Sequence, residues 1–123
     1  MDVLGTLAIR FHFKGEFIRS GRQNNYYGGR EAMSYISRDR VSLSELIAAL
    51  REHCKVKEGT ILHWLFPGKD LDSGLHVLLD DKVCQYMSDC IVEVGVAEIY
   101  AEEPIVIDIS EEEMLAVIMN LRW

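Results

Sequence analysis

Between Val3 and Phe13 the chain alternates: Val3, Leu7, Ile9, Phe11 and Phe13 share one parity, while Thr6, Arg10, His12 and Lys14 take the other. Successive strand side chains point to opposite faces, so this period of two dictates a half-buried strand with Arg10, His12 and Lys14 turned outward. The rest of the chain must then supply an apolar layer against the other face. Gly15 marks a turn and Glu16-Phe17-Ile18-Arg19 a return strand, so a β-hairpin opens the domain. The stretch 20–30, SGRQNNYYGGR, has no periodicity and reads as a loop or irregular strand end. Residues 32–37, AMSYIS, add a short extended piece.

The period changes at Ser42. Ser42 with Glu45 three residues on forms a capping box, and Leu43, Leu46, Ile47, Leu50 and Cys54 follow at helical spacing, so a helix runs from Ser42 to about His53. Residues 60–66, TILHWLF, are apolar on both parities, the mark of a buried central strand. Asp80 or Asp81 caps a second helix whose stripe is Val83, Tyr86, Met87, Cys90, Ile91 and Val94, with Gly95 placed for a positive φ at its end. Residues 96–101, VAEIYA, close with a strand. The order β-β-(β)-α-β-α-β predicts an α+β, ubiquitin-like β-grasp over residues 1–101: a mixed four- to five-stranded sheet with two helices packed on it. Residues 102–123 form a tail carrying a C-terminal helix.

Several function classes fall away on composition. The formal net charge of −7 argues against direct nucleic-acid binding, which needs a positive footprint. No apolar run approaches the ~20 residues of a membrane span, and the first residues lack the basic region of a secretory signal. Cys54, Cys84 and Cys90 make no even framework, which favours free thiols in a reducing compartment. Charge is also unevenly spread: residues 1–57 hold ten Lys and Arg against six Asp and Glu, residues 58–123 three against fourteen. Either this reflects an acidic tail alone, or the domain has a basic and an acidic surface that attract other copies or other modules.

The segment 63–81, HWLFPGKDLDSGLHVLLDD, carries the densest functional signal. Asp70-Leu71-Asp72-Ser73-Gly74 resembles the start of a calcium loop, but Leu75 stands at the sixth position where glycine is required and Asp81 at the twelfth where glutamate is. Pro67-Gly68-Lys69-Asp70 has too few glycines and too many acids for a phosphate cradle. The Cys and His residues lack paired zinc spacing, and no Ser, His and Asp stand in a nucleophilic context, so no metal or cofactor is expected. Asp70 and Asp72 could serve as a carboxylate pair in acid–base catalysis. A solvated acidic loop is the commoner use of such residues. The reading that remains is docking: Asp70, Asp72, Asp80 and Asp81 as an acidic surface, with Arg10, Lys14, Arg19 and Arg22 as a basic one.

The run Trp64 to Leu75 (WLFPGKDLDSGL) resembles the Phox-and-Bem-one-like domain at the N-terminus of plant Mutator-type transposases. Tyr26-Tyr27-Gly28-Gly29 is similar to that family's Tyr-x-Gly-Gly turn, Val41 to Leu46 to its helix start, and Asp80 to Met87 to its second helix. The resemblance covers about residues 4–101. It implies a non-catalytic protein-interaction domain that docks on a protein partner or on itself, head to tail, and nuclear residence. Asp70 and Asp72 would take the acidic role and Arg10 or Lys14 the basic one.

The tail, AEEPIVIDISEEEMLAVIMNLRW, allows two readings. Val106, Ile107 and Ile109 before an acidic run match a SUMO-interacting strand, or they form an extra strand of the same domain. Ser110 then caps an apolar final helix in which Leu115, Ile118 and Trp123 would dock on the domain, a twin or a partner groove.

Overall fold

The computed structural model describes residues 5–92 and 95–104, together with positions 115 and 119. Its strands are Thr6–Phe13 (β1), Glu16–Ser20 (β2), Gln23–Tyr27 (β3), Arg30–Ser37 (β4), Ile61–Leu65 (β5), Leu75–Val77 (β6) and Val96–Glu102 (β7); its helices are Leu43–Arg51 (α1) and Asp81–Cys90 (α2). Five strands form one mixed sheet in the order β4-β1-β7-β5-β6, in which β1 and β7 run parallel and the other pairs antiparallel. The final strand thus inserts beside the first at the centre, the topology of a β-grasp.

The alternation of β1 does what the sequence requires. Leu7, Ile9, Phe11 and Phe13 are buried with Ala97, Ile99 and Ala101 of β7 and Leu62 and Trp64 of β5, beneath Leu46 and Leu50 of α1 and Cys84 and Met87 of α2. Both helices start on side-chain caps: Ser42 Oγ accepts from the Glu45 amide at 3.2 Å, and Asp80 Oδ1 accepts from the Val83 amide at 3.0 Å. Leu46 is 0% exposed, and truncating such a residue to Ala costs about 2–5 kcal/mol.

Four expectations need correction. The return strand does not pair with β1. Its partner is β3, inside the stretch read as a loop, and the two make a separate two-stranded sheet; β1 pairs instead with β4, all the way from Thr6↔Ser37 to Phe13↔Arg30. Lys14, at φ 64°, and Gly15 turn the chain out of the sheet plane. A Cβ on Gly15 would lie 2.5 Å from Tyr26 Cε2, so only glycine lets the ring pack over the neck of this hairpin. Second, His12 does not face solvent but lies under the hairpin, its ring stacked on Tyr100 at 4.1 Å between centroids. Third, the doubly apolar segment before the acidic loop is not buried on both faces: Leu62 and Trp64 are buried, while Ile61 is 43% exposed. Finally, α2 ends at Cys90, and Gly95 is not among the positive-φ glycines. A Cβ there would approach the Ile91 side chain and the Val92 carbonyl, each at 3.1 Å. The acidic segment also holds a strand the sequence did not announce, β6.

Val3, Val94 and the tail positions Val106, Ile107, Ile109, Ile118 and Trp123 lie outside the described residues. Leu115 is described and is exposed.

Candidate functional site

Two surfaces meet at the acidic loop. The loop 66–74 is closed by its own main chain: Phe66 donates to Gly74 at 2.8 Å and Gly74 to Asp70 at 2.9 Å. Asp70 Oδ1 then accepts from the Asp72 amide at 3.1 Å, the Ser73 amide at 2.9 Å and the Ser73 hydroxyl at 2.8 Å. Ser73 is the main reason that the Asp70 carboxyl is held below its usual range, so the loop keeps its charge into acid. A general acid working near neutrality needs the opposite shift.

Asp72 has a different task. Its Oδ1 accepts from the Asn24 amide of β3 at 2.8 Å, which ties the acidic loop to the hairpin. Arg19 and Arg22 belong to that hairpin and are exposed, so this basic pair lies on the element the loop touches rather than across the molecule from it. Asp80 caps α2, and Asp81 Oδ1 accepts from the Leu43 amide at the start of α1 at 2.9 Å. The four carboxylates therefore divide: Asp70 and Asp72 organise the loop and hairpin, Asp80 and Asp81 the two helix starts.

The basic residues of the first strand are matched internally. Arg10 Nη1 donates to both carboxylate oxygens of Glu98, at 2.8 and 3.0 Å, and that hydrogen bond raises the guanidinium above its ordinary value. Lys14 Nζ donates to Glu103 at 2.6 Å and to the Lys55 carbonyl at 3.1 Å, while Lys57 approaches Glu103 at 3.2 Å. Sequence reasoning missed these counter-charges, although Glu98 stands on the same parity of β7 as Tyr100 and Glu103 directly follows the strand.

It also missed the aromatic layer. Register lines up Glu31, His12, Tyr100, His63 and Val77 in one row across all five strands. The hairpin lays Phe17 and Tyr26 over this row, Phe17 at 5.4 Å from His63 and Tyr26 at 5.3 Å from Tyr100 between centroids. His12 Nε2 faces Glu98 at 3.2 Å and His63 Nε2 faces Glu102 at 3.0 Å. The clue was in Tyr26-Tyr27-Gly28-Gly29, read only as a turn: a Cβ on Gly29 would also meet Tyr26 Cε2, at 2.8 Å. Elsewhere, Ser34 Oγ and His53 Nε2 lie 2.7 Å apart against Phe11 and Phe13, a satisfied core pair. Among the described residues no group of three or more His, Cys, Asp or Glu could hold a metal ion.

A grasp-type sheet with two helices on one face, whose polar side chains bond one another, defines a ubiquitin-like domain. The chain belongs to the PB1-like domain family, whose model matches residues 4–103. PB1-like domains are protein–protein interaction modules, and such modules are typically not catalytic. No curated protein and no solved structure matches the chain.

Proposed function

We propose that this domain is a non-catalytic docking module that presents the Asp70–Asp72 loop to a basic surface on a protein partner. The observation that carries the reading is the Asp70 cradle. Within the loop the Asp70 carboxylate accepts three bonds, all on Oδ1, so the loop is pre-formed and charged before a partner arrives, and Oδ2 accepts none among the described residues. Ordering a flexible loop on binding costs affinity, and a pre-formed one avoids that cost. With Arg10 and Lys14 bound to Glu98 and Glu103, the basic half of the contact comes from the partner or from Arg19 and Arg22 of another copy. Origin from a Mutator-type transposase, and nuclear residence with it, belong to the same proposal and are supported by the Trp64 to Leu75 run.

Calorimetry with a Lys/Arg-rich peptide at low and high salt tests this reading. Asp70→Asn and Asp72→Asn keep the acceptor atoms that hold the loop while removing its charge. Binding at low salt that weakens with salt and is lost in the double variant supports the proposal. Binding that survives the double variant contradicts it.

A further inference from the structure

The two edges of the sheet are built differently. β6 is three residues long, whereas β4 is eight, pairs with β1 through eight consecutive positions without a bulge, and has no strand on its outer side among the described residues. Exposed edges are normally blunted by shortness, charge, proline or a bulge, because unpaired amides and carbonyls recruit another strand. Ala32 to Ser37 has none of these protections: it contains no charged residue, no proline and no glycine. Tyr35 in its middle is 64% exposed. Beside it a groove of about 390 Å3 runs between β4 and α1, lined by Ile36, Arg40, Ala48 and Glu52 among others.

We propose that the outer edge of β4 is a seam between two copies of this chain, paired antiparallel about a two-fold axis so that two five-stranded sheets become one of ten. The sequence of the edge is self-complementary, and this names the occupant. An axis perpendicular to the sheet keeps each face on its own side, so residues of equal parity must oppose one another. Centred on Ser34, the pairing sets Met33 against Tyr35 of the second copy on one face and Ala32 against Ile36 on the other, each pair twice. Glu31 then meets Ser37. Shifting the centre to Tyr35 opposes Glu31 to Asp39 and Arg30 to Arg40, and shifting it to Met33 sets Glu31 and Arg30 on Tyr35 and Ile36. In the Ser34 register the one like-charged pair is Arg30 with Arg38, and Arg38 already turns its guanidinium to the Ser88 carbonyl at 2.6 Å. The groove beside α1, walled by the small side chains of Ala48 and Ala49, leaves room for the helix-face side chains of the incoming strand.

This seam is independent of the acidic loop and rests on backbone and apolar contacts, so it persists at high salt, where loop docking fades. Sedimentation of the full chain tests it. The wild type is expected to sediment at twice 14.1 kDa in low and high salt alike. Tyr35→Lys, at an exposed position, is expected to give a folded monomer by circular dichroism. Adding Met33→Glu to it restores the dimer, because a glutamate then faces a lysine twice across the seam. A wild-type monomer, a dimer indifferent to Tyr35→Lys, or failure of the double variant to re-form it overturns the proposal.

Discussion

The Tyr26 hydroxyl donates to the Ala101 carbonyl at 2.8 Å, so a residue of the hairpin is bonded to the central strand across the second face of the sheet. The same oxygen accepts from the Gly15 amide at 3.0 Å. Burial raises the Tyr26 phenol above its ordinary value, which keeps the donor protonated. Replacing Tyr26 with Phe leaves one carbonyl and one amide without partners at a part-buried site, for which about 1–3 kcal/mol is the usual cost. Urea unfolding is expected to show that loss, and exchange of the β2 and β3 amides to accelerate. An unchanged midpoint would mean that the aromatic packing alone holds the hairpin.

Gly15 supports the same attachment from the backbone side. Gly15→Ala forces its new carbon to 2.5 Å from Tyr26 Cε2 and 2.7 Å from the Tyr27 carbonyl, and overpacking of this kind costs about 1–3 kcal/mol. Gly21→Ala, at φ 64° with nothing within 4 Å, strains only its own turn and leaves the Tyr26 ring in place. Tyrosine fluorescence and hairpin amide exchange should respond to the first variant and not to the second.

At the exit of β7, Lys14 is the main cause holding the Glu103 carboxyl below its ordinary value, with Lys57 adding to it. A depressed carboxyl stabilises the fold fully above its unfolded value near 4.5 and loses that contribution as pH falls through its lower folded value. Glu103→Gln is therefore expected to melt lower than the wild type at neutral pH, with the two curves converging in acid. Parallel curves down to acid pH would place the stabilisation elsewhere.

Burial, reinforced by Asp81 and Asp80, pushes the Cys84 thiol up to about 11. At pH 8 about one molecule in a thousand then carries the reactive thiolate at that site. Alkylation followed by mass spectrometry should label Cys84 only when the protein unfolds, with Cys90 and Cys54, both half-buried, ahead of it. Early labelling of Cys84 would show that α2 opens readily.

The strands and helices that bury one clean face were legible from periodicity: β1, α1, α2 and β7 stand where alternation or helical spacing put them. The pairing of β1 was not. Lys14 and Gly15 look like an ordinary hairpin turn until the Tyr26 ring is seen to occupy the space beside Gly15, a contact eleven residues away. Asn24 and Asn25 lower strand propensity, yet β3 forms because Asp72 accepts from the Asn24 amide and Phe17 packs edge-on to Tyr26. Within the site, acidity of the loop was readable from Asp70 and Asp72. That Glu98 and Glu103 neutralise Arg10 and Lys14 was not, since strand order alone decides which charges become neighbours.

The most direct test of loop docking is amide chemical-shift mapping of the isotope-labelled chain during titration with a Lys/Arg-rich peptide at low salt. The largest shifts are expected at residues 69–74 and at Asn24, whose amide donates to Asp72, with the map erased in Asp70→Asn/Asp72→Asn. Shifts concentrated elsewhere and retained in the double variant would contradict it.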